Sequence, residues 1–194
     1  MDNKLKASPY SNIPFGEMNA EQAKEHFEWY KTQIPLRIEW LKKLAASDGL
    51  MDVFDFTPES LIPIWEWYEK KIAYRQLSEE EMQAEQSTHP EWKWDSIPDK
   101  DLSIDTLYYC VLLAAYFAEV VIRNTKGKVY WGYFTKPKNR VGLNEPTLLG
   151  FKFNKDLNPR TIVRVCTKKS GKEHKSSRLK DAYDTWTKKN LDMA

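Results

Sequence analysis

The polar residues that could do chemistry are few and far apart in this sequence. The three histidines, His26, His89 and His174, have no partner at a spacing that binds a metal ion, and no HExxH pattern occurs. The glycine patterns of phosphate-binding loops and nucleophile elbows are also missing from the sequence. We therefore predict neither a metal site nor a cofactor.

Glu119 stands out because it interrupts the apolar stretch at residues 107–122. Arg123 follows at i+4, a spacing at which glutamate and arginine pair on a helix. A carboxylate that enters a core must be paired or protonated. Two interpretations stay open: Glu119 and Arg123 form a structural polar pair, or Glu119 is the general acid or base of a small enzyme. We favour the structural pair.

The two cysteines and the apolar segments indicate a compartment. Cys110 and Cys166 lie in apolar stretches and form no CxxC pattern, which predicts buried free thiols in a reducing environment. Residues 1–15 lack the apolar segment of a secretory signal. The longest apolar run is shorter than the roughly 20 residues that span a membrane. We expect a cytoplasmic protein that does not cross a membrane.

Composition indicates a globular chain with an uneven charge distribution. The 194 residues include 8 Trp, 10 Tyr and 8 Phe, whereas disordered chains are poor in aromatic residues. Residues 1–119 carry 12 basic and 22 acidic residues, a net charge of −10, and residues 120–194 carry 18 and 6, a net charge of +12. Either the two parts neutralise each other within one fold, or one face attracts a partner of opposite charge.

Three groups of residues are candidate binding surfaces. An acidic helical surface that could bind a basic protein is formed by Glu66, Glu69, Glu79, Glu80, Glu81 and Glu85. Trp92 and Trp94 alternate in a loop, either as an exposed binding edge or as a flap packed on the helices. A basic collar at the ends of the predicted strands contains Lys136, Lys138, Arg140, Lys168, Lys169, Lys172, Lys175, Arg178 and Lys180.

The basic collar lies next to aromatic residues in the sequence, a combination that suits single-stranded nucleic acid. These aromatic residues are Tyr130, Trp131, Tyr133 and Phe134. No RNP-type sequence accompanies them, and the aromatic residues of a strand more often face the core. We therefore regard nucleic acid as an unfavoured partner and a solvated collar as the better interpretation.

Periodicity and capping signals predict the elements that position these residues. Helices are expected from Asn19, from Pro35 to Ser47, from Ser60, over residues 78–87, from Ser103 or Asp105 to about residue 124, and over residues 177–190. Residues 129–135, 147–153 and 161–167 are β-prone and predict a three-stranded antiparallel sheet.

The resulting fold prediction is α+β, with helices around a hydrophobic central helix, then the small sheet, then a C-terminal helix. We expect an irregular N-terminal arm at residues 1–18 and a single domain at residues 19–194. Within that domain the helical part covers residues 19–125, the sheet part residues 128–167 and the closing helix residues 177–190.

Residues 54–67 and 115–124 carry a resemblance to a known family. The likeness continues through Trp131, residues 136–139, residues 144–146, Gly150, Phe151 and residues 157–159. Together these segments resemble small, largely uncharacterised cytosolic bacterial proteins, some of which resemble immunity proteins of polymorphic toxin systems. Ala118 departs from the glycine that related sequences commonly place before the glutamate.

The resemblance brings no catalytic residues with it. It implies that Glu119, Arg123, Asn124 and Trp131 define the fold before they serve any function. It also implies a protein partner, in particular a cognate toxin. We therefore expect a non-enzymatic protein-binding protein that neutralises a toxin. The alternatives are a small enzyme with Glu119 as acid or base and a nucleic-acid binder that uses the basic loops at the strand ends.

Overall fold

The computed structural model of the chain describes residues 7–191. These residues form six α-helices, three short 3-10 helices and two two-stranded sheets, so the fold is α+β. The elements are α1 (Ala20–Ser47), α2 (Leu61–Glu69), β1 (Tyr74–Gln76), α3 (Glu79–Ser87), β2 (Lys100–Leu102), α4 (Ile104–Arg123), β3 (Tyr130–Gly132), β4 (Thr147–Leu149), α5 (Pro159–Ser170) and α6 (Arg178–Asn190). The 3-10 helices are Phe15–Glu17, Glu91–Ser96 and Lys152–Asn154.

The hydrophobic core is built around α4, which packs against α1 and α5. Every side chain from residue 112 to residue 118 is 0% exposed, so neighbours cover all sides of the helix. By length and composition α4 is the one helix of the described residues that could cross a membrane, and 61% of that window is buried inside the protein. Packing within the fold therefore accounts for its apolar surface.

α1 is one continuous helix, so the predicted break at Pro35 is wrong. Its buried stripe continues through this position with Ile34 and Ile38. Pro35 itself faces solvent. Proline has no N–H to donate to the carbonyl group four residues earlier in the helix, and on the solvent side water can donate to that carbonyl instead. Asn19 and Gln22 start the helix with the predicted capping box, in which each side chain bonds the other residue's backbone N–H.

The third predicted strand, at residues 161–167, is wrong because this segment belongs to helix α5. The Asn158 side chain accepts hydrogen bonds from the backbone N–H groups of Arg160 and Thr161, and Pro159 fits the first turn. The buried residues of α5 follow helical spacing and are Pro159, Val163, Cys166 and Thr167. Capping and packing against α4 therefore override the β-propensity of this stretch.

The predicted three-stranded sheet does not occur within residues 7–191. β3 and β4 form a two-stranded antiparallel sheet in which Trp131 is opposite Leu148. A single bridge joins Leu148 to Leu157. β1 and β2, for which no strands were predicted, form a second antiparallel pair with Tyr74 opposite Leu102.

Several predicted helix starts are confirmed. Ser60, Ser78 and Ser103 are the N-cap residues of α2, α3 and α4. Ser60 does not cap with its side chain, because its Oγ lies 2.7 Å from the Tyr116 hydroxyl and donates to the Thr57 carbonyl. The closing helix also forms as predicted, over Arg178–Asn190.

The predicted irregular arm covers residues 1–18, of which residues 1–6 lie outside the described part. Residues 7–18 contain turns and one 3-10 helix, and they pack on α1. The Ser8 hydroxyl lies 2.7 Å from Nδ1 of His26, and the Tyr10 hydroxyl donates to the Glu25 carboxylate. Asn144 donates to the Phe15 carbonyl at 2.8 Å. These bonds fix the arm against the helical part.

Candidate protein-interaction surface

Residues 74–102 extend from the core as a segment that we call the acidic protrusion. The β1–β2 ladder forms its base, where the Leu102 side chain is buried. Beyond this base, neither α3 nor the 3-10 helix at Glu91–Ser96 contains a buried residue. Burial of an apolar face is the usual source of helix stability in proteins, so local polar contacts must hold this part.

Ser78, Arg75 and Glu81 provide these contacts. Ser78 and Glu81 form the capping box that starts α3. Arg75 donates two hydrogen bonds to the Glu81 carboxylate, at 2.7 and 2.6 Å. These bonds, together with the Ser78 backbone N–H, lower the pKa of Glu81 to about 2. Glu81, predicted as a binding residue, is therefore occupied in holding α3 on β1.

Trp92 and Trp94 differ, although the sequence treats them alike. Trp94 donates its indole N–H to the carbonyl groups of Gln86 and His89, at 3.2 Å each, and so fixes the loop to the end of α3. Trp92 is 78% exposed, and its ring contacts the ammonium group of Lys93 at 4.9 Å. Trp94, although 40% exposed, is therefore tied to α3 by its hydrogen bonds, whereas Trp92 lies at an exposed edge.

The acidic protrusion carries 3 basic and 8 acidic residues, a net charge of −5. Glu79, Glu80 and Glu85 are exposed on α3, and within the described residues no basic side chain pairs with them. Below them, residues of β1, α3 and the preceding turn line a cavity of about 330 Å³ that includes Leu77 and Met82. This surface combines free carboxylates, a hollow in which Leu77 and Met82 lie among polar lining residues, and an exposed indole.

Glu66 and Glu69, the two predicted members of the acidic surface that lie on α2, differ in exposure. Glu66 is exposed on α2. The Glu69 side chain is only 7% exposed and pairs with His174. The predicted acidic surface is therefore divided, and the free carboxylates of α3 form its accessible part.

The basic collar is partly used within the fold. The Arg140 guanidinium bonds the Asp156 carboxylate at 2.6 Å and stacks on the Phe134 ring at 3.6 Å. Lys168 pairs with Asp101 at 3.0 Å. Lys136 and Lys138 are exposed. The collar therefore presents lysines rather than a continuous set of free cations.

The aromatic residues beside the collar pack mostly inward. The Trp131 ring contacts Tyr30 at 5.4 Å, and the Tyr133 ring contacts Phe27 at 4.8 Å. Among the four aromatic residues between positions 130 and 134, Tyr130 alone is exposed. A nucleic-acid interface would need several stacking platforms, so this arrangement supports it weakly.

Glu119 links α4 to two neighbouring segments. Its side chain is 20% exposed, and its carboxylate lies 3.5 Å from Nε of Arg123 and 3.5 Å from Nε1 of Trp131. The Arg123 guanidinium also covers the Phe56 ring at 3.6 Å. This geometry supports the structural interpretation of the Glu119–Arg123 pair, because each group is engaged by residues that hold α4 to β3 and to the segment before α2.

The remaining polar and sulfur groups do not assemble a reactive centre in the described part of the chain. Cys110 and Cys166 are free and buried, as predicted. Burial raises the pKa of the Cys166 thiol to about 11, which keeps it protonated. Within residues 7–191, no group of three or more His, Cys, Asp and Glu side chains could hold a metal ion.

No protein-family model matches this sequence, and comparison with curated proteins and with solved structures gives no match either. The resemblance to immunity proteins therefore stays a prediction. The function has to be inferred from the geometry of the chain itself.

A cavity covered by residues 8–18 was not predicted from the sequence. Its walls include His26, Arg37 and Arg160, which are far apart in the sequence. The available signal was Arg37, which lies next to Ile38 and Ile34 on the buried stripe of α1. An arginine among core positions of a helix is unusual and indicates a special environment.

Proposed function

We propose that this chain is a non-enzymatic protein-binding protein that binds a basic partner through the acidic protrusion. The observation that carries the proposal is Trp92, which is 78% exposed on a segment of net charge −5. Tryptophan is the residue most enriched among the energetic centres of protein interfaces. The exposed indole on this acidic surface is therefore the candidate for such a centre.

The local contacts of the acidic protrusion favour tight binding. The Arg75–Glu81 bonds and the Ser78 cap join α3 to β1, and the Trp94 hydrogen bonds join the following loop to the end of α3. A surface that is already ordered loses little conformational entropy when a partner binds. The backbone that carries Trp92 is thereby tied to α3, which lowers the part of this cost that comes from ordering the loop.

The chemistry of the surface defines the class of partner. Glu79, Glu80 and Glu85 need lysine or arginine side chains opposite them, and Trp92 needs an apolar pocket. Such charge complementarity speeds association at low ionic strength. A basic toxin, for example a nuclease, has this character, and the resemblance to immunity proteins points to the same class. The two free thiols support a cytoplasmic location for the encounter.

Site-specific photo-crosslinking tests the proposal in the cell of origin. One variant carries a photo-reactive amino acid at position 92, and a matched control carries it at Phe153, an aromatic residue that is 87% exposed outside the protrusion. We expect position 92, and not position 153, to cross-link one basic protein. Crosslinks at both positions to the same mixture, or at neither, would count against the proposal.

The captured protein allows a second, independent test with purified components. Its affinity should fall as salt increases, and Glu79→Lys with Glu80→Lys should slow its association. A crosslink to a second copy of this chain would instead indicate self-association of the acidic protrusion with the basic residues 120–194. An affinity that does not depend on salt would contradict the charge-based part of the proposal.

A further inference from the structure

A cavity of about 510 Å³ lies between residues 8–18 and the segment of α1 from His26 to Arg37. The arm supplies one wall, and α1 supplies His26, Trp29, Tyr30 and Arg37. Val111 of α4 and Arg160 of α5 complete the lining. This volume lies within the range of small-molecule sites.

Arg37 is buried in this lining, and no acidic side chain of residues 7–191 forms an ion pair with it. The residue is 8% exposed, and its Nε and Nη1 atoms have no hydrogen-bond partner among the described residues. Its guanidinium carbon lies 4.6 Å from the Tyr30 ring centroid and 5.8 Å from that of Trp29. Cation–π contacts offset only part of the cost of burying a charge. The side chain therefore has unused donors inside the fold.

The charge of the cavity is one-sided. Its lining contains Arg37, Arg160 and His26 and includes no aspartate or glutamate among the described residues. Burial, and then the charges of Arg160 and Arg37, lower the pKa of His26. Burial likewise lowers the pKa of Arg37. An anion in the cavity would give the buried Arg37 a counter-charge, and the exposed Arg160 lines the same cavity.

We propose that this cavity binds a small organic anion, with a carboxylate or phosphate group facing Arg37 and Arg160 and a planar apolar body between the aromatic walls. Guanidinium groups bond both kinds of oxyanion in pairs of parallel hydrogen bonds. Phe15, Trp29 and Tyr30 provide flat apolar surfaces for the body of the ligand. This site is separate from the acidic protrusion, so its failure would leave the proposed function unaffected.

The arm gives the site a cover whose contacts can be observed. The Ser8 hydroxyl lies 2.7 Å from Nδ1 of His26, and the Phe15 ring contacts the His26 ring edge-on at 5.1 Å. A ligand that fills the cavity beneath the arm should restrain the arm further. We expect residues 8–18 to exchange their amide hydrogens more slowly when the cavity is filled.

Isothermal titration with three matched probes tests the proposal on the full chain. The probes are 2-naphthoate, 2-naphthyl phosphate and the neutral 2-naphthamide, which share one planar ring system. We expect at least one anion to bind, and the amide to bind roughly ten- to a hundredfold more weakly, because it lacks the charge-assisted hydrogen bonds. The two anions also distinguish carboxylate from phosphate as the preferred group.

The Arg37→Met variant should bind the anions no more tightly than the amide, because the guanidinium is gone. Its melting temperature should equal or exceed that of the wild type, because the substitution removes an unpaired buried charge. Lys24→Met removes one exposed charge from the same helix and should leave binding unchanged. If Arg37→Met does not fold, Arg160→Met provides the same comparison from α5. Equal binding of amide and anions, absence of anion binding at millimolar concentration, or wild-type anion binding by the arginine variant would overturn the proposal.

Discussion

The central helix α4 and the acidic protrusion differ in how far their side chains are buried. In α4, seven consecutive side chains from residue 112 to residue 118 are completely buried, so packing alone explains their apolar character. In α3 and the 3-10 helix at Glu91–Ser96 no residue is buried, and Trp92 faces solvent. Packing in the core does not account for the Trp92 side chain, whereas it fully accounts for those of α4. The contrast separates residues that make the fold from residues that are free to bind.

The two regions are also held by different forces. Dispersion and removal of apolar surface from water stabilise α4 between α1 and α5. A capping box, a two-bond Arg75–Glu81 pair and two indole hydrogen bonds hold the acidic protrusion. Changes in core volume should therefore affect the whole molecule, whereas changes in pH should affect the protrusion first.

Leu113→Ala in α4 should give the largest loss of stability. Leu113 is fully buried, and its truncation leaves a cavity that costs about 2–5 kcal/mol of unfolding free energy. Met82→Ala in α3 is the matched change in the acidic protrusion, where the side chain is only partly buried. Urea denaturation should show at most a small effect there. Equal losses for the two variants would mean that the protrusion belongs to the cooperative core.

Asn158→Ala should cost about 1 kcal/mol, because it removes the side chain that caps α5. Urea denaturation of this variant and of Asn139→Ala, an exposed loop position, provides the comparison. A stable Asn158→Ala protein would indicate that packing on α4 alone fixes the start of α5.

The acidic protrusion should loosen in acid before the core does. Glu81 has an ordinary pKa of 4.5 and a folded pKa of about 2, so its stabilising contribution is present above pH 4.5 and is lost as the pH falls towards 2. NMR signals of the amides at residues 78–81 should shift in this window. Glu81→Gln should abolish the shift and Glu80→Gln should not. A shift that persists in Glu81→Gln would assign it to another carboxyl group.

Trp92→Ala should have the smallest effect on stability. The side chain is exposed and contacts only Lys93 through its ring, so we expect a change in unfolding free energy within about 0.5 kcal/mol. Thermal melting of this variant measures the change directly. A loss comparable to that of Leu113→Ala would show that Trp92 is a folding residue.

Local signals in the sequence predicted much of the helical part. The capping boxes at Asn19 and Ser78, the Ser103 cap and the apolar pattern of α4 depend on neighbouring residues, and the structure contains them all. The α5 segment was predicted as a strand because its β-branched residues suit a sheet, while burial against α4 decides in favour of a helix. That contact joins distant parts of the chain and leaves little trace in a local pattern.

The candidate sites also contain some features that neighbouring residues determine and others that distant contacts determine. Glu79, Glu80, Glu85 and Trp92 could be predicted as a surface because they lie close together in the sequence. The different roles of Glu81 and Trp94 depend on hydrogen bonds that the sequence does not specify. The Arg37 cavity brings together the arm, α1, α4 and α5, so only the folded chain shows it.

The most direct test of the central claim uses the partner protein that is cross-linked at position 92. Its Kd is measured for the wild-type chain and for the Trp92→Ala variant. We predict a loss of about 2 kcal/mol or more in binding free energy, roughly thirtyfold in Kd, at an unchanged melting temperature. The Phe153→Ala control should bind as the wild type does. Wild-type affinity of Trp92→Ala would contradict the claim that the acidic protrusion is the binding surface.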